Sequence, residues 1–294
     1  MSHAARPVIG IIGGSGLYQI DGLKDVAWKK VSSPFGEPSD ELCFGTLEDT
    51  PVVFLPRHGR GHRIPPSDIN FRANLDALKR SGVTEVLSLS AVGSLREDLA
   101  PGAFVVVDQF IDRTFARQKS FFGPGLVAHV SMAKPVCARL GDALVAACEG
   151  LGVTAHRGGT YLAMEGPQFS SLAESRLYRS WGCDVIGMTN MPEAKLAREA
   201  ELCYATVAMV TDFDCWHPEH DAVTVDQVVS VLLGNAGKAR GLVRNVVPLL
   251  GAHDGPCRHG CQRALDHAII TSPEARDAEL ARKLSAVAGR MLNR

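Results

Sequence analysis

Short apolar, β-branched runs recur along the chain: "VIGII", "PVVFL", "EVLSLS", "AFVVVD", "DVIGMT" and "YATVAMVTD". Several lack polar alternation, so they read as strands buried on both faces. Between them lie stretches with helical spacing of apolar residues. "INFRANLDALKRSG" and "VCARLGDALVAACEGLG" each end at a glycine, and "MPEAKLAREAEL" carries a proline in its first turn, where a helix tolerates it. The pattern predicts an α/β fold in which a mixed central sheet is flanked by helices.

No internal repeat, low-complexity tract or linker divides the chain, so residues 1–294 are expected to form one domain. A stretch rich in glycine, proline and histidine, from Gly251 to Gly260, sets off "DAELARKLSAVAGRML". That segment reads as a terminal helix with one apolar face, making 251–294 a C-terminal cap.

Composition narrows the function classes. With 46% hydrophobic residues among 294, the chain can bury a large core, and a formal charge of −1 gives no overall pull toward nucleic acid or acidic membranes. No apolar stretch is long enough to span a bilayer and the N-terminus lacks a signal-peptide pattern, so the expected location is the cytosol. The eight cysteines read mostly as reduced core residues. Only Cys257 and Cys261, in "CRHGC", are close in sequence. Even with His259 they offer at most three local ligands at a spacing unlike a standard zinc motif, so a turn is expected there and no metal.

In α/β sheets ligands gather beyond the carboxyl ends of strands. Here those positions carry "GGSG", "PRHGRGHRIPP", "AVGSL", "MTNMPEA" and "TDFDCW". A dinucleotide cradle is excluded by "GGSGL", which has no third glycine at the required offset and no helical pattern after it. A smaller anion site remains, in which Ser15 and nearby amides join Arg57, His58 and the hydroxyls and amides of "SLSAVGS". Asp212 and Asp214 follow a buried strand, where burial raises a carboxyl pKa and keeps it protonated as a donor.

Taken together, "IGIIGGSGL", "SPFGEPSD", "RHGRGHRIPPSDINFRANLDALK", "GSLREDLAPGAFVVVDQFIDRT", "EGPQFSSLAES" and "MTNMPEAKLAREAELCYATVAMVTDFDCW" resemble the methylthioadenosine-cleaving branch of the trimeric purine nucleoside phosphorylases. The resemblance covers residues 7–250. It implies a homotrimer without metal or organic cofactor that uses inorganic phosphate to split S-methyl-5′-thioadenosine into adenine and 5-methylthioribose 1-phosphate, in purine and methionine salvage.

By the same resemblance, phosphate is held by Ser15, Arg57, His58, Ser90, the amide of Ala91, and Thr189. Met188 lies against the ribose and Phe169 against the adenine ring. Asp212 and Asp214 meet the purine edge and, with His58, form the catalytic set. Val225, Val228 and Val229 wall the methylthio group, and His129 reaches in from a neighbouring subunit. Ser15 and Ser90 stand where relatives often carry threonine, Gln168 where some carry arginine, and Phe213 where some carry tyrosine; the named contacts survive each change. His62, His217 and His220 are assigned no role.

Other readings make different predictions. An aspartic acid can donate to purine N7 and accept from a 6-amino group, which disfavours phosphorolysis of inosine or guanosine. A silent nucleoside sensor would release no adenine. A nicotinamide-dependent oxidoreductase would need the missing third glycine.

Overall fold

In the computed structural model, which describes residues 6–14, 17–218, 225–253 and 255–292, the two longest apolar runs become adjacent central strands. β5 (Glu85–Ser94) and β11 (Cys203–Asp212) run parallel, with Glu85 opposite Cys203 and Val92 opposite Val210. Both are buried over most of their length, hence the absence of polar alternation.

β1 (Ile9–Gly13) lies on the other side of β5, followed by β4 (Thr50–Pro56) and the antiparallel β3 (Leu42–Leu47) and β2 (Lys24–Lys29). Beyond β11 come β6 (Phe104–Val106) and β8 (Ala155–Arg157). A further row, β10 (Val185–Gly187), β9 (Thr160–Ala163) and β7 (Gln109–Asp112), completes a mixed sheet of eleven strands among the described residues.

The site is created where β5 changes partners. Its first part pairs with β1 only as far as Ser88, opposite Ile12, and its last two residues, Gly93 and Ser94, pair antiparallel with β10. Between these pairings one side of β5 opens, exposing the strand segment that carries Leu89, Ser90, Ala91 and Val92 to a cavity.

Successive strand residues point to opposite faces and so feed two cores. Ile12, Val53, Leu55 and Val86 pack beneath α1 (Phe71–Arg80) and α4 (Asn190–Glu199), while Ile11, Val52, Phe54 and Leu87 pack beneath α2 (Ala138–Glu149) and α5 (Val225–Gly251). Within α4, Met191 is extended, so regular helix begins at Pro192, where the missing N–H is no loss. Among the described residues no helix is long and apolar enough to cross a membrane.

The structure adds one helix to those read from the sequence and divides another. The "SSLAES" stretch forms α3 (Leu172–Ser180), started by a reciprocal capping box between Ser171 and Glu174. The terminal segment is two helices, α6 (Ala278–Lys283) and α7 (Ser285–Leu292), rather than one. The break falls at the fully buried Leu284, which lets Val287 and Ala288 turn onto the α1 side of the core while α6 stays on the surface. Burying Leu284 and Val287 contributes roughly 1.5–3 kcal/mol each, enough to hold α7 on the body.

Candidate active site

The opening beside β5 is a cavity of about 610 Å³. Nine of the sequence-predicted residues line it: Arg57, His58, Ser90, Ala91, Phe169, Met188, Thr189, Asp212 and Asp214. They come from five separate stretches of chain, brought together because each lies within, at the end of or shortly after a strand of the same sheet.

One end of the cavity is cationic and rich in hydroxyls. Arg57 is only 2% exposed and forms a two-point pair with Glu193, Nε to Oε2 at 2.8 Å and Nη2 to Oε1 at 3.2 Å. It also donates to Ser88 Oγ at 2.5 Å and to the carbonyl of Leu89 at 3.2 Å. These bonds use four guanidinium N–H groups and leave one on Nη1. Glu193 is held in turn by Ser88 and by the Tyr204 hydroxyl at 2.9 Å, and Asn190 ties Ser88 to Tyr204. Although burial disfavours the cation, Glu193 more than offsets it and raises the Arg57 pKa. Nearby, Ser90 Oγ lies 3.0 Å from Thr189 Oγ1 and 3.3 Å from the Tyr161 hydroxyl, so three hydroxyls converge beside the guanidinium.

His58 has a defined tautomer. Its Nδ1 lies 2.9 Å from the carbonyl oxygen of Ile64, which can only accept, so Nδ1 carries the proton and Nε2 a lone pair. Burial, and then the charge of Arg57, push its pKa down to about 4. The ring is therefore neutral at pH 7, and Nε2 is an acceptor. His62, given no role from sequence, stacks on His58 with ring centroids 4.2 Å apart and lines the cavity itself. It is a correction that only the fold supplies.

The opposite end holds two carboxyls. Asp212 Oδ1 accepts from the Asp214 amide at 2.8 Å, and Oδ2 lies 2.7 Å from Thr211 Oγ1. Thr211 Oγ1 is also 3.1 Å from the carbonyl of Val92, and one hydroxyl proton cannot serve both. When Thr211 turns its proton to Val92, Asp212 Oδ2 is left without that bond. Burial raises the Asp212 pKa, against the opposing bonds donated by Thr211 and the Asp214 amide. Asp214 is likewise raised, by burial first, and its Oδ2 has no hydrogen-bond partner. Gly93 permits this crowding, since a Cβ there would sit 2.8 Å from Asp212 Oδ1.

Phe169, 44% exposed, and Met188 form an apolar wall between the two ends. Met188 is fixed from behind, where Arg117 donates to its carbonyl and to that of Met191, and pairs with Glu165 at 2.9 Å. Glu165 also accepts from Ser67 and from the amides of Phe115 and Ala116. This support, like Glu193 and Tyr204 behind Arg57, escaped the sequence reading. Its trace was present in the acidic residues of "EGPQF" and "MPEA", which no surface loop requires.

The remaining expected residues stand apart from this set. Ser15 lies outside the described residues. Val225, Val228 and Val229 belong to α5, and their side chains also lie outside what is described. His129 is exposed, anchored through its amide to the carbonyl of Ala268, and lines no part of its own chain's cavity. His220 is outside the described residues, and His217 packs against Phe213 and Trp216.

Residues 8–248 match the family model described as the phosphorylase superfamily. The chain belongs to the phosphorylase superfamily. Within it, similarity runs the full length. The chain is 66% identical over 293 residues to the S-methyl-5′-thioadenosine phosphorylase of Rhodospirillum rubrum, covering 99% of this chain and 100% of that one. The protein of the same name from Cereibacter sphaeroides is 62% identical, covering 98% and 99%. Among solved members of the superfamily, a methylthioadenosine phosphorylase from an antarctic soil metagenomic library superposes with a TM-score of 0.91 at 47% identity, over 97% of this chain and 99% of that one. A Schistosoma mansoni adenosine/methylthioadenosine phosphorylase variant, solved with methylthioadenosine, gives 0.80 at 40% identity, over 85% and 93%.

Proposed function

We infer that the chain catalyses reversible phosphorolysis of S-methyl-5′-thioadenosine, yielding adenine and S-methyl-5-thio-α-D-ribose 1-phosphate, and serves purine and methionine salvage in the cytoplasm. The observation that carries this reading is one cavity with an anion-binding end and an acid-bearing end, in a chain 66% identical to an enzyme of that name.

Phosphate sits against the remaining Arg57 N–H, the Ser90 and Thr189 hydroxyls and the Ala91 amide, with Ser15 completing the loop. Neutral His58 accepts the proton that hydrogen phosphate still carries, which orients an unprotonated oxygen toward C1′ of the ribose. As the C1′–N9 bond breaks, positive charge builds on the sugar and negative charge on the purine. Phosphate stabilises the first and then bonds to C1′. Asp212 answers the second by donating to N7, while Asp214 accepts from the 6-amino group. Met188 supports the ribose and Phe169 covers the base. By the family resemblance, Val225, Val228 and Val229 wall the methylthio group. Phosphate is a co-substrate, and the chemistry needs no organic cofactor.

The enzyme assembles as a homotrimer in which His129 completes a neighbour's site. What supports this is that His129 is exposed and does not line its own cavity, and that Phe115 and Ile270 leave large apolar side chains 82% and 64% exposed. The C-terminal segment lines no described part of its own cavity, so its capping role falls on a neighbouring subunit.

The test is adenine release from methylthioadenosine with and without inorganic phosphate, with inosine in parallel. Phosphate-dependent cleavage with inosine untouched is expected. Cleavage of inosine instead would retain the phosphate end and overturn the base assignment, and no cleavage of either would favour a sensor. Light scattering across a dilution series checks the trimer, which a fully active monomer would refute.

A further inference from the structure

Four cysteines distant in sequence end in one buried cluster. Cys137 is the N-cap of α2, Cys203 opens β11, and Cys257 and Cys261 flank the turn that follows α5. Their sulfur atoms all lie within 4.8 Å of one another, with Cys137 Sγ 3.6 Å from Cys257 Sγ and Cys257 Sγ 3.7 Å from Cys261 Sγ. We propose that these four thiols form a tetrathiolate zinc site that fastens the C-terminal segment to the sheet.

The spacing carries the argument. Four sulfurs at about 2.3 Å from a central zinc, arranged as a tetrahedron, stand roughly 3.8 Å apart. The separations of 3.6 and 3.7 Å lie just under that edge and all the sulfurs lie within 4.8 Å of one another, whereas a disulfide would require about 2.05 Å. Ordinary packing gives no reason for four thiols to converge on one point, and Cys43, Cys148 and Cys183, buried too, do not join them.

The backbone holds the ligands from three directions. The Cys137 amide donates to the carbonyl of Tyr204, beside Cys203, at 2.8 Å. Gly260, at φ +69°, closes the turn whose amide bonds the Cys257 carbonyl at 2.9 Å, and Gln262 Oε1 accepts from the Cys257 amide at 2.7 Å. The turn therefore presents Cys257 and Cys261 to the same point, and the distant Cys137 and Cys203 supply the ligands that "CRHGC" lacks. His259 is not among them.

Charge is also accommodated. Binding releases the thiol protons, and four thiolates around a divalent ion leave a net negative site. Arg139 Nη2 lies 3.9 Å from Cys203 Sγ, and the positive end of the α2 dipole starts at Cys137. None of the four cysteines lines the catalytic cavity, so the ion's role is structural and independent of the proposed reaction.

The full-length, untagged protein, prepared without chelators from zinc-supplemented medium, should contain about one zinc per chain by plasma mass spectrometry. An organomercurial titration should release it as thiols are blocked. Cobalt substitution of the wild type should give the charge-transfer and ligand-field bands of tetrahedral tetrathiolate coordination. The Cys257→Ser/Cys261→Ser variant should lose the metal and melt at a lower temperature; should it fail to fold, the wild-type stoichiometry and cobalt spectrum still decide. The proposal is overturned by a metal-free protein, whether with free thiols or with the mass deficit of disulfides, or by a metal other than zinc.

Discussion

The two ends of the cavity are built on opposite principles. At the phosphate end, Arg57 arrives already bound to Glu193, Ser88 and Leu89, and the network behind it is closed by Tyr204 and Asn190. At the purine end, Asp214 Oδ2 has no partner, and burial raises the Asp212 pKa against the bonds from Thr211 and the Asp214 amide. One end spends its hydrogen bonds on fixing a charge, and the other keeps capacity for the ligand. Catalysis by charge stabilisation needs both, a cation that does not reorganise and an acid that can still move its proton.

The contrast is broken most forcefully from behind the cation. Glu193→Ala would leave Arg57 buried and unpaired, at a cost of about 3–5 kcal/mol. Urea denaturation should register it, and a loss under 1 kcal/mol would mean Arg57 does not depend on Glu193. At the other end, Asp212→Asn should reduce kcat/KM for methylthioadenosine by roughly 10²–10⁴ while sparing the fold, and shift preference toward 6-oxopurines. Unchanged base preference would remove Asp212 from base selection.

The histidine pair sharpens the comparison with a pH dependence. Unfolded His58 titrates near 6.5 and folded His58 near 4, so between these values the unfolded chain binds the extra proton. Stability is present above about pH 6.5 and is lost as pH falls toward 4, by on the order of 2–3 kcal/mol from this residue. Phosphate-free denaturation at pH 7 and pH 5 should show part of that loss, reduced in His58→Gln. The smallest effect is expected for His62→Ala, a several-fold rise in the KM for phosphate with kcat nearly intact, because only the stack that steadies His58 is removed.

Much of this was legible in residue order. Strand ends were marked by the passage from apolar runs to glycine, hydroxyl and charge, and nine predicted residues meet in one cavity. What escaped were the partners of partners. Glu193 and Glu165 sit in segments whose visible feature is helix or loop chemistry, and nothing local says that an arginine from elsewhere in the chain will need them. His62 looked like one more polar residue in a histidine-bearing loop, and only the loop's path lays it on His58. The terminal segment kept its helical period across Leu284, so the break was invisible until the core showed where that side chain had to go.

The sequence by itself determined the fold class, the single sheet and the residue types at the strand ends, because periodicity and turn chemistry act over a few residues and are written locally. Tertiary structure alone decided which charge is paired, which imidazole is neutral, which carboxyls burial pushes toward their protonated forms and which four sulfurs meet. Those properties depend on burial and on contacts between residues tens to more than a hundred positions apart, and electrostatic free energy is set by the distance between groups in space.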